Sequence, residues 1–506
     1  VNDAPTLILA GARFPTLKTQ ADCLVIQAGR IADLARWSDI KLTLPSSAAV
    51  KDVTGACVLP GLGDAHVHFA ATGFLATALD CQGIVSRVQL LDAIATAAAH
   101  KAPGELILGL RLEHSKFPDK ALPTLDELDA AAPDNPLYIR HITGHASLAN
   151  RQALALLDFP LRQPGVKLDE HNQPTGELIA QATQRATQQM YALNAAQLGY
   201  ETAFRAAAQA AARSGCTVVH ALDDLGAVEA LLALNGALPV RVLPYTQSFD
   251  LEAVEALGLP RIGGCHGCAL DGDFDMFTAA LSEPYHERPH AMGVLYQDYD
   301  NLTRFVCEAH RRGLQCAFHA VGDRAVEQAL SVFEAAQAQY PRPNARHRIE
   351  HAQLVDDSHF ERARRAGVVL GLQPSFNHVW DHCDYVQWIG ERHRRIDPLA
   401  SFYKLGIPLA GGSDSTVTDM KPLLGIHAAV NHSRVEERLS VDAAIEMFSY
   451  GVAYSTHHEH ERGRLMVGFA ADLTLVAENP LTVDPCRIKD IAVLMTVVDG
   501  RIVYES

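Results

Sequence analysis

The stretch Pro60-Gly61-Leu62-Gly63-Asp64-Ala65-His66-Val67-His68 decides the reading of this chain. It is an apolar strand that runs into a His-x-His. Residues two apart on a strand point to the same face, so His66 and His68 can reach one metal ion with no backbone distortion. Such a pair does not specify a metal site by itself; its context does. Three later apolar runs end in further ligand-type residues: Cys316-Ala317-Phe318-His319, Arg348-Ile349-Glu350-His351 and Gly411-Gly412-Ser413-Asp414. The C-terminal ends of strands are where a βα barrel places its functional side chains, and in a barrel all of these would converge.

Outward from the motif, helix and strand patterns alternate. Glu201 to Ser214 precedes Val218-Val219-His220, and Leu302 to Arg312 precedes Gln315 to His319. Arg324 to Gln339 leads to Arg348 to His351, His359 to Ala366 to Val368 to Leu372, and Leu399 to Leu405 to Pro408 to Gly411. Repeated βα units of this kind indicate a parallel barrel or a doubly wound sheet. Both chain ends read differently. Leu7 to Ala10 and Cys23 to Ile26 near the start, and Leu473 to Val476 and Val493 to Val498 near the finish, read as short strands, with Asp499-Gly500 as a hairpin signal. The expected organisation is a small β domain from residues 1–58 and 460–506 around a barrel of residues 59–459. The stretch from Gly73 to Tyr200 is too long for one βα loop and reads as an insertion with helices of its own.

The 506 residues include 43 Lys+Arg against 59 Asp+Glu, a formal charge of −16 that disfavours nucleic acid and anionic membranes as partners. No apolar run reaches the length of a membrane-spanning helix. Val1 to Ala10 lacks a basic region followed by a long apolar one, which favours the cytoplasm. The 10 cysteines are too sparse for the disulfide framework of a small secreted scaffold, so reduced thiols are expected.

Beyond the His-x-His, the chain carries Gly144-His145 with Asn150, Asp271-Gly272, His319-Ala320-Val321-Gly322-Asp323-Arg324, His347 to Ala352, Gly412-Ser413-Asp414, Gly468 to Leu473 and Val498 to Arg501. This set resembles the amidohydrolase superfamily, and within it amidohydrolase family 3, the branch that includes N-substituted formamide deformylases. The resemblance implies a distorted TIM (β/α)₈ barrel with a β-sandwich formed by both chain ends. It also implies a metal site built from His66, His68, His319, His351 and Asp414. One residue departs from the family pattern: the carboxylated lysine expected four positions before the Asp-Gly is Gly267, which offers no ligand. A single ion, most simply zinc with iron as the alternative, is therefore the favoured cofactor. Two ions bridged by a thiolate of Cys268 or Cys265 remain open, because soft thiolate suits zinc.

The chemistry that follows is hydrolysis of an amide-like, formamide or N-acyl C–N bond of a small molecule, with water activated by the metal. Asp414 would act as general base and then general acid, and His319 and His351 would bind metal or orient the water. His145, Gln373, Phe376 and His378 are candidate substrate contacts, the last three on the loop that continues through Trp380, His382 and Tyr385. Asp271 is a turn residue close enough to the site to be a minor candidate ligand. Two other functions use the same residues: deamination of a heterocyclic amine at a mononuclear site, and a non-catalytic binding or regulatory role on the same fold. A homodimer follows family habit.

Overall fold

The computed structural model describes residues 6–42, 44, 48–234, 236–380 and 382–506. Eight parallel strands form the central barrel: β1 (Leu62–Val67), β2 (Cys216–Asp223), β3 (Arg241–Thr246), β4 (Arg261–Gly264), β5 (Gln315–Ala320), β6 (Arg348–His351), β7 (Val369–Leu372) and β8 (Leu409–Gly411). They hydrogen-bond in chain order, each joined to the next by a helical crossover or a shorter connection. The barrel closes just beyond the ends of its first and last strands. Asp414 N–H donates to the His66 carbonyl at 2.8 Å, and His68 N–H donates to the Ser415 carbonyl at 2.9 Å. Below this seam, Asp64 Oδ1 accepts the Ser413 N–H at 2.9 Å.

The strands alternate for a physical reason. Ile349 and Leu370 turn outward into the large apolar core beneath the helices Tyr299–Arg311, Asp323–Gln339 and Asp357–Ala366. Their neighbours Arg348 and Glu350 face the barrel interior, where they are fully buried and pair with each other. Helix boundaries follow local chemistry. Asp356 caps the helix Asp357–Ala366 in a reciprocal bond with His359, and Gly367 ends it with a left-handed φ of 62°.

The chain ends form two four-stranded sheets. Thr6–Ala10, Cys23–Gln27, Arg30–Ala35 and Ala49–Asp52 make one; Cys57–Pro60, Leu473–Val476, Val493–Val498 and Arg501–Glu505 make the other. Leu9, Leu24 and Ile26 from the first meet Val58, Leu473, Leu475 and Val497 from the second in a shared core, which is a β-sandwich. The insertion between β1 and β2 contains a six-stranded sheet, from Leu79–Asp80 to Pro174–Ile179, as well as helices. No helix among the described residues is long and apolar enough to cross a membrane.

Candidate active site

His66 and His68 project from the end of β1 on one face, as the strand alternation requires. His319 comes from β5, His351 from the end of β6, and Asp414 from the turn after β8. All five are buried, and they converge at the C-terminal mouth of the barrel. His68 Nε2 stands 3.0 Å from Asp414 Oδ1, and His66 Nε2 stands 3.4 Å from the same oxygen. His351 has φ of 73° and Asp414 has φ of 54°, left-handed values that side-chain-bearing residues seldom adopt. Strained backbone at both residues aims them into the mouth.

The thiol at the centre of this group belongs to Cys265. Its Sγ lies 3.2 Å from His66 Nε2 and 3.7 Å from both His319 Nδ1 and His351 Nε2. Gly263 and Gly264, at φ of 100° and 123°, bend the chain immediately before it. A Cβ on Gly263 would stand 2.0 Å from the Ala317 carbonyl oxygen, so this bend needs glycine. Cys268, the first choice from sequence, instead packs into the apolar core with Leu270, Cys316 and Phe318. The short helical turn His266–Cys268 carries it away from the mouth. Three overlapping groups of ligand atoms result: His66, His68 and Cys265; Cys265, His319 and His351; and His66, His351 and Asp414. Within each group the atoms lie no more than 4.8 Å apart.

Three of the four imidazoles are in the form a metal requires; His66 is the exception, where burial is outweighed by Cys265 and Asp414, which raise its pKa well above the usual value. Burial lowers the pKa of His68 and His351, and it brings that of His319 down to about 4, leaving nitrogen lone pairs available. Burial alone would raise the Asp414 carboxyl, but the neighbouring His66 and His68 hold it well below the usual range. Burial pushes the Cys265 thiol up to about 11, with His66 pulling the other way.

A second layer escaped the sequence reading. Glu350 Oε2 lies 2.7 Å from His66 Nδ1, orienting the ring so that Nε2 faces the mouth. Arg348 grips the same carboxylate through Nε at 2.8 Å and Nη2 at 2.9 Å, and its Nη1 reaches Tyr245 Oη at 3.1 Å. A Cβ at Gly371 on β7 would meet Glu350 Oε2 at 2.2 Å, so glycine there makes room for the pair. Glu350→Ala would leave the Arg348 charge buried without its partner. It is expected to cost about 3–5 kcal/mol of stability, read as a lowered midpoint of denaturant unfolding. His266 is another such residue: its ring stacks on His68 with centroids 4.2 Å apart, and its Nε2 lies 2.5 Å from Arg140 Nη2.

The other sequence candidates separate clearly. His145 and Phe376 line a narrow cavity of about 30 Å³ that opens onto His319, His351 and Asp414. Gln373 and His378 do not line it. Gln373 donates back to the Gly371 carbonyl at 3.1 Å, and the His378 ring stacks on His427 at 5.2 Å. Trp380 and Tyr385 do line it, whereas His382 packs edge-on against His393. Asp271 accepts N–H bonds from Ala280, Val321 and Gly322 at 2.8–2.9 Å, so it anchors loops.

Comparison with known proteins agrees with this fold. A solved structure of an uncharacterized metal-dependent hydrolase from Pyrococcus horikoshii OT3 superposes with a TM-score of 0.75 at 26% identity, covering 95% of this chain and 99% of the other. Among curated proteins, "Putative amidohydrolase YtcJ" of Bacillus subtilis is 29% identical over 90% of each chain. N-substituted formamide deformylase of Arthrobacter pascens is 22% identical over 99% of this chain and 98% of its own. A model of the amidohydrolase family matches residues 49–504, nearly the whole length. The chain belongs to the amidohydrolase family.

Proposed function

We propose that this amidohydrolase cleaves a carbon–nitrogen bond outside a peptide, in an amide, formamide or N-acyl linkage of a small molecule. The observation that carries the reading is the convergence of His66, His68, Cys265, His319, His351 and Asp414 in one buried mouth that opens onto a narrow cavity. The similarity to an N-substituted formamide deformylase supports the choice of bond.

The donor set fits a divalent ion of the zinc or iron type, because nitrogen and sulfur donors predominate over oxygen. His66, His68 and Cys265 would hold one position, and Cys265, His319 and His351 a second, with Asp414 beside His66. The thiol common to both groups supports two ions over the single one favoured by the sequence. Bound there, the metal would polarise the scissile carbonyl and make water acidic enough to ionise near neutral pH.

The protein's own groups carry the proton and exclude solvent. Asp414 is held as a carboxylate at neutral pH, so it can take a proton from the attacking water. The same oxygen can then return that proton to the departing nitrogen, which leaves as a neutral amine. His145, whose ring lies 4.8 Å from that of His319, has a buried Nδ1 without a partner and faces the cavity. It can orient the substrate carbonyl or amide by one hydrogen bond. Phe376, Trp380 and Val417 wall the chamber against bulk water.

Chelator treatment should abolish hydrolysis of N-formyl and N-acetyl amines, and added zinc or iron should restore it. Elemental analysis and assays for released amine read both effects. Ammonia from a heterocyclic amine with no amide hydrolysis would favour the deaminase reading instead, and full activity in metal-free protein would overturn the metal-dependent mechanism.

A further inference from the structure

One part of the cavity lining has a distinct character. There its walls are aromatic: Phe274 stacks parallel to Trp388 with centroids 6.4 Å apart, and Tyr385 stands edge-on to Phe274 at 5.9 Å and to Trp388 at 5.5 Å. Asp273 and Asp275, on either side of Phe274 in sequence, line the same space. Both come from the loop after β4.

These carboxylates lack a matching cation. Asp273 Oδ1 accepts the Met276 N–H at 2.7 Å and the Thr143 hydroxyl stands beside the group, yet Oδ2 is buried without a hydrogen bond. The Asp275 side chain is 9% exposed; its Oδ2 lies 3.5 Å from Ser115 Oγ and 3.8 Å from His141 Nε2. Burial lowers the pKa of His141 and of His145, so these rings are neutral at pH 7. Glu113 and Asp384 add negative charge nearby, and the Lys116 ammonium is held by Glu113 at 2.8 Å. Among the described residues, no lysine or arginine lines the cavity. Burial pushes the Asp273 carboxyl up to about 6. For Asp275, burial and then the neighbouring acids push it to about 7. A carboxylate-bearing ligand would find no counter-charge there. An ammonium would draw both acids into their ionised form and stand among three ring systems, an arrangement that binds cations by both charge and ring quadrupole.

We propose that the substrate carries a protonated amine in addition to the bond that is cleaved, held by Asp273 and Asp275 beside Phe274, Tyr385 and Trp388. This rests on the hydrolase reading of the mouth, and two experiments separate the claims. The first compares kcat/KM for N-formyl-4-(aminomethyl)benzylamine, its neutral 4-ethyl isostere and its 4-carboxymethyl analogue. The cationic compound is expected to lead the neutral one by at least about 10-fold, with the anionic one last. Asp275→Asn and Asp273→Asn, checked for folding by melting temperature, should each reduce that ratio by about 10-fold. The second experiment needs no turnover: calorimetry of benzylammonium binding against benzyl alcohol, in the wild type and both variants.

Preference for the neutral or anionic compound would overturn the proposal, as would a cation preference unchanged in both variants. If no amide is turned over but benzylammonium binds, and Asp275→Asn weakens that binding, the cation pocket stands and the bond assignment falls. Absence of both turnover and binding would sink both.

Discussion

Asp414→Asn is expected to lower kcat by about 10²- to 10⁴-fold while leaving the protein folded. The substitution keeps the size and the left-handed backbone, because asparagine tolerates a φ of 54° as readily as aspartate does. What it removes is the charge and the proton-accepting oxygen. In the native protein Asp414 is held ionised by His66 and His68, whose ring nitrogens approach the same oxygen at 3.4 and 3.0 Å. An amide there can neither accept the proton from water nor return it to the leaving nitrogen. The measurement is steady-state turnover of a formamide beside a thermal melt. A variant with near-native kcat would remove Asp414 from proton transfer, and one that fails to fold would show that the carboxylate is needed for the folded state.

Cys265→Ser should have the second large effect. The thiol stands within 3.7 Å of three imidazole nitrogens contributed by three different strands. Serine has nearly the same shape, but its hydroxyl is a far poorer ligand for a soft cation than a thiolate. We expect bound metal to fall from two ions per chain to one, and kcat/KM to fall by at least about 100-fold. Cys268→Ser provides the control, since that thiol lies in the apolar core and should affect stability without changing stoichiometry. Identical metal content in wild type and Cys265→Ser would return the site to a single ion held by histidines and Asp414.

What could be read from sequence, and what could not, follows from where regular geometry holds. His66, His68, His319 and His351 lie on strands or at their ends, so alternation and strand-end position are enough to gather them. The thiol was ambiguous because Gly263 and Gly264 leave the regular strand conformation, and past that point no period tells whether Cys265 or Cys268 faces the mouth. Arg348 and Glu350 were visible as charges two apart on an apolar strand. Their partners His66 and Tyr245 come from other strands, and only the closed barrel brings them together. The aromatic part of the cavity lining is harder still. Phe274 follows β4, whereas Tyr385 and Trp388 follow β7, and nothing local in either segment announces the other. Gln373 and His378 mislead for the opposite reason: they lie close to a strand end in sequence, but the turn Pro374–His378 directs them elsewhere.

The seam between β1 and β8 has a consequence for biosynthesis. Asp64 and Ser413 are bonded across 349 residues, and the backbone bonds that join His66 to Asp414 and His68 to Ser415 span similar distances. A growing chain emerges from the ribosome with its His-x-His early and the residues that complete it very late. Until Ser415 has been made, two histidines on an unpaired strand edge have neither their aspartate nor their neighbouring backbone. Closing so long a loop is slow and entropically opposed, so the catalytic mouth is among the last parts of the molecule to assemble. Helices and the insertion sheet, whose contacts are nearer in sequence, can already be in place to receive it.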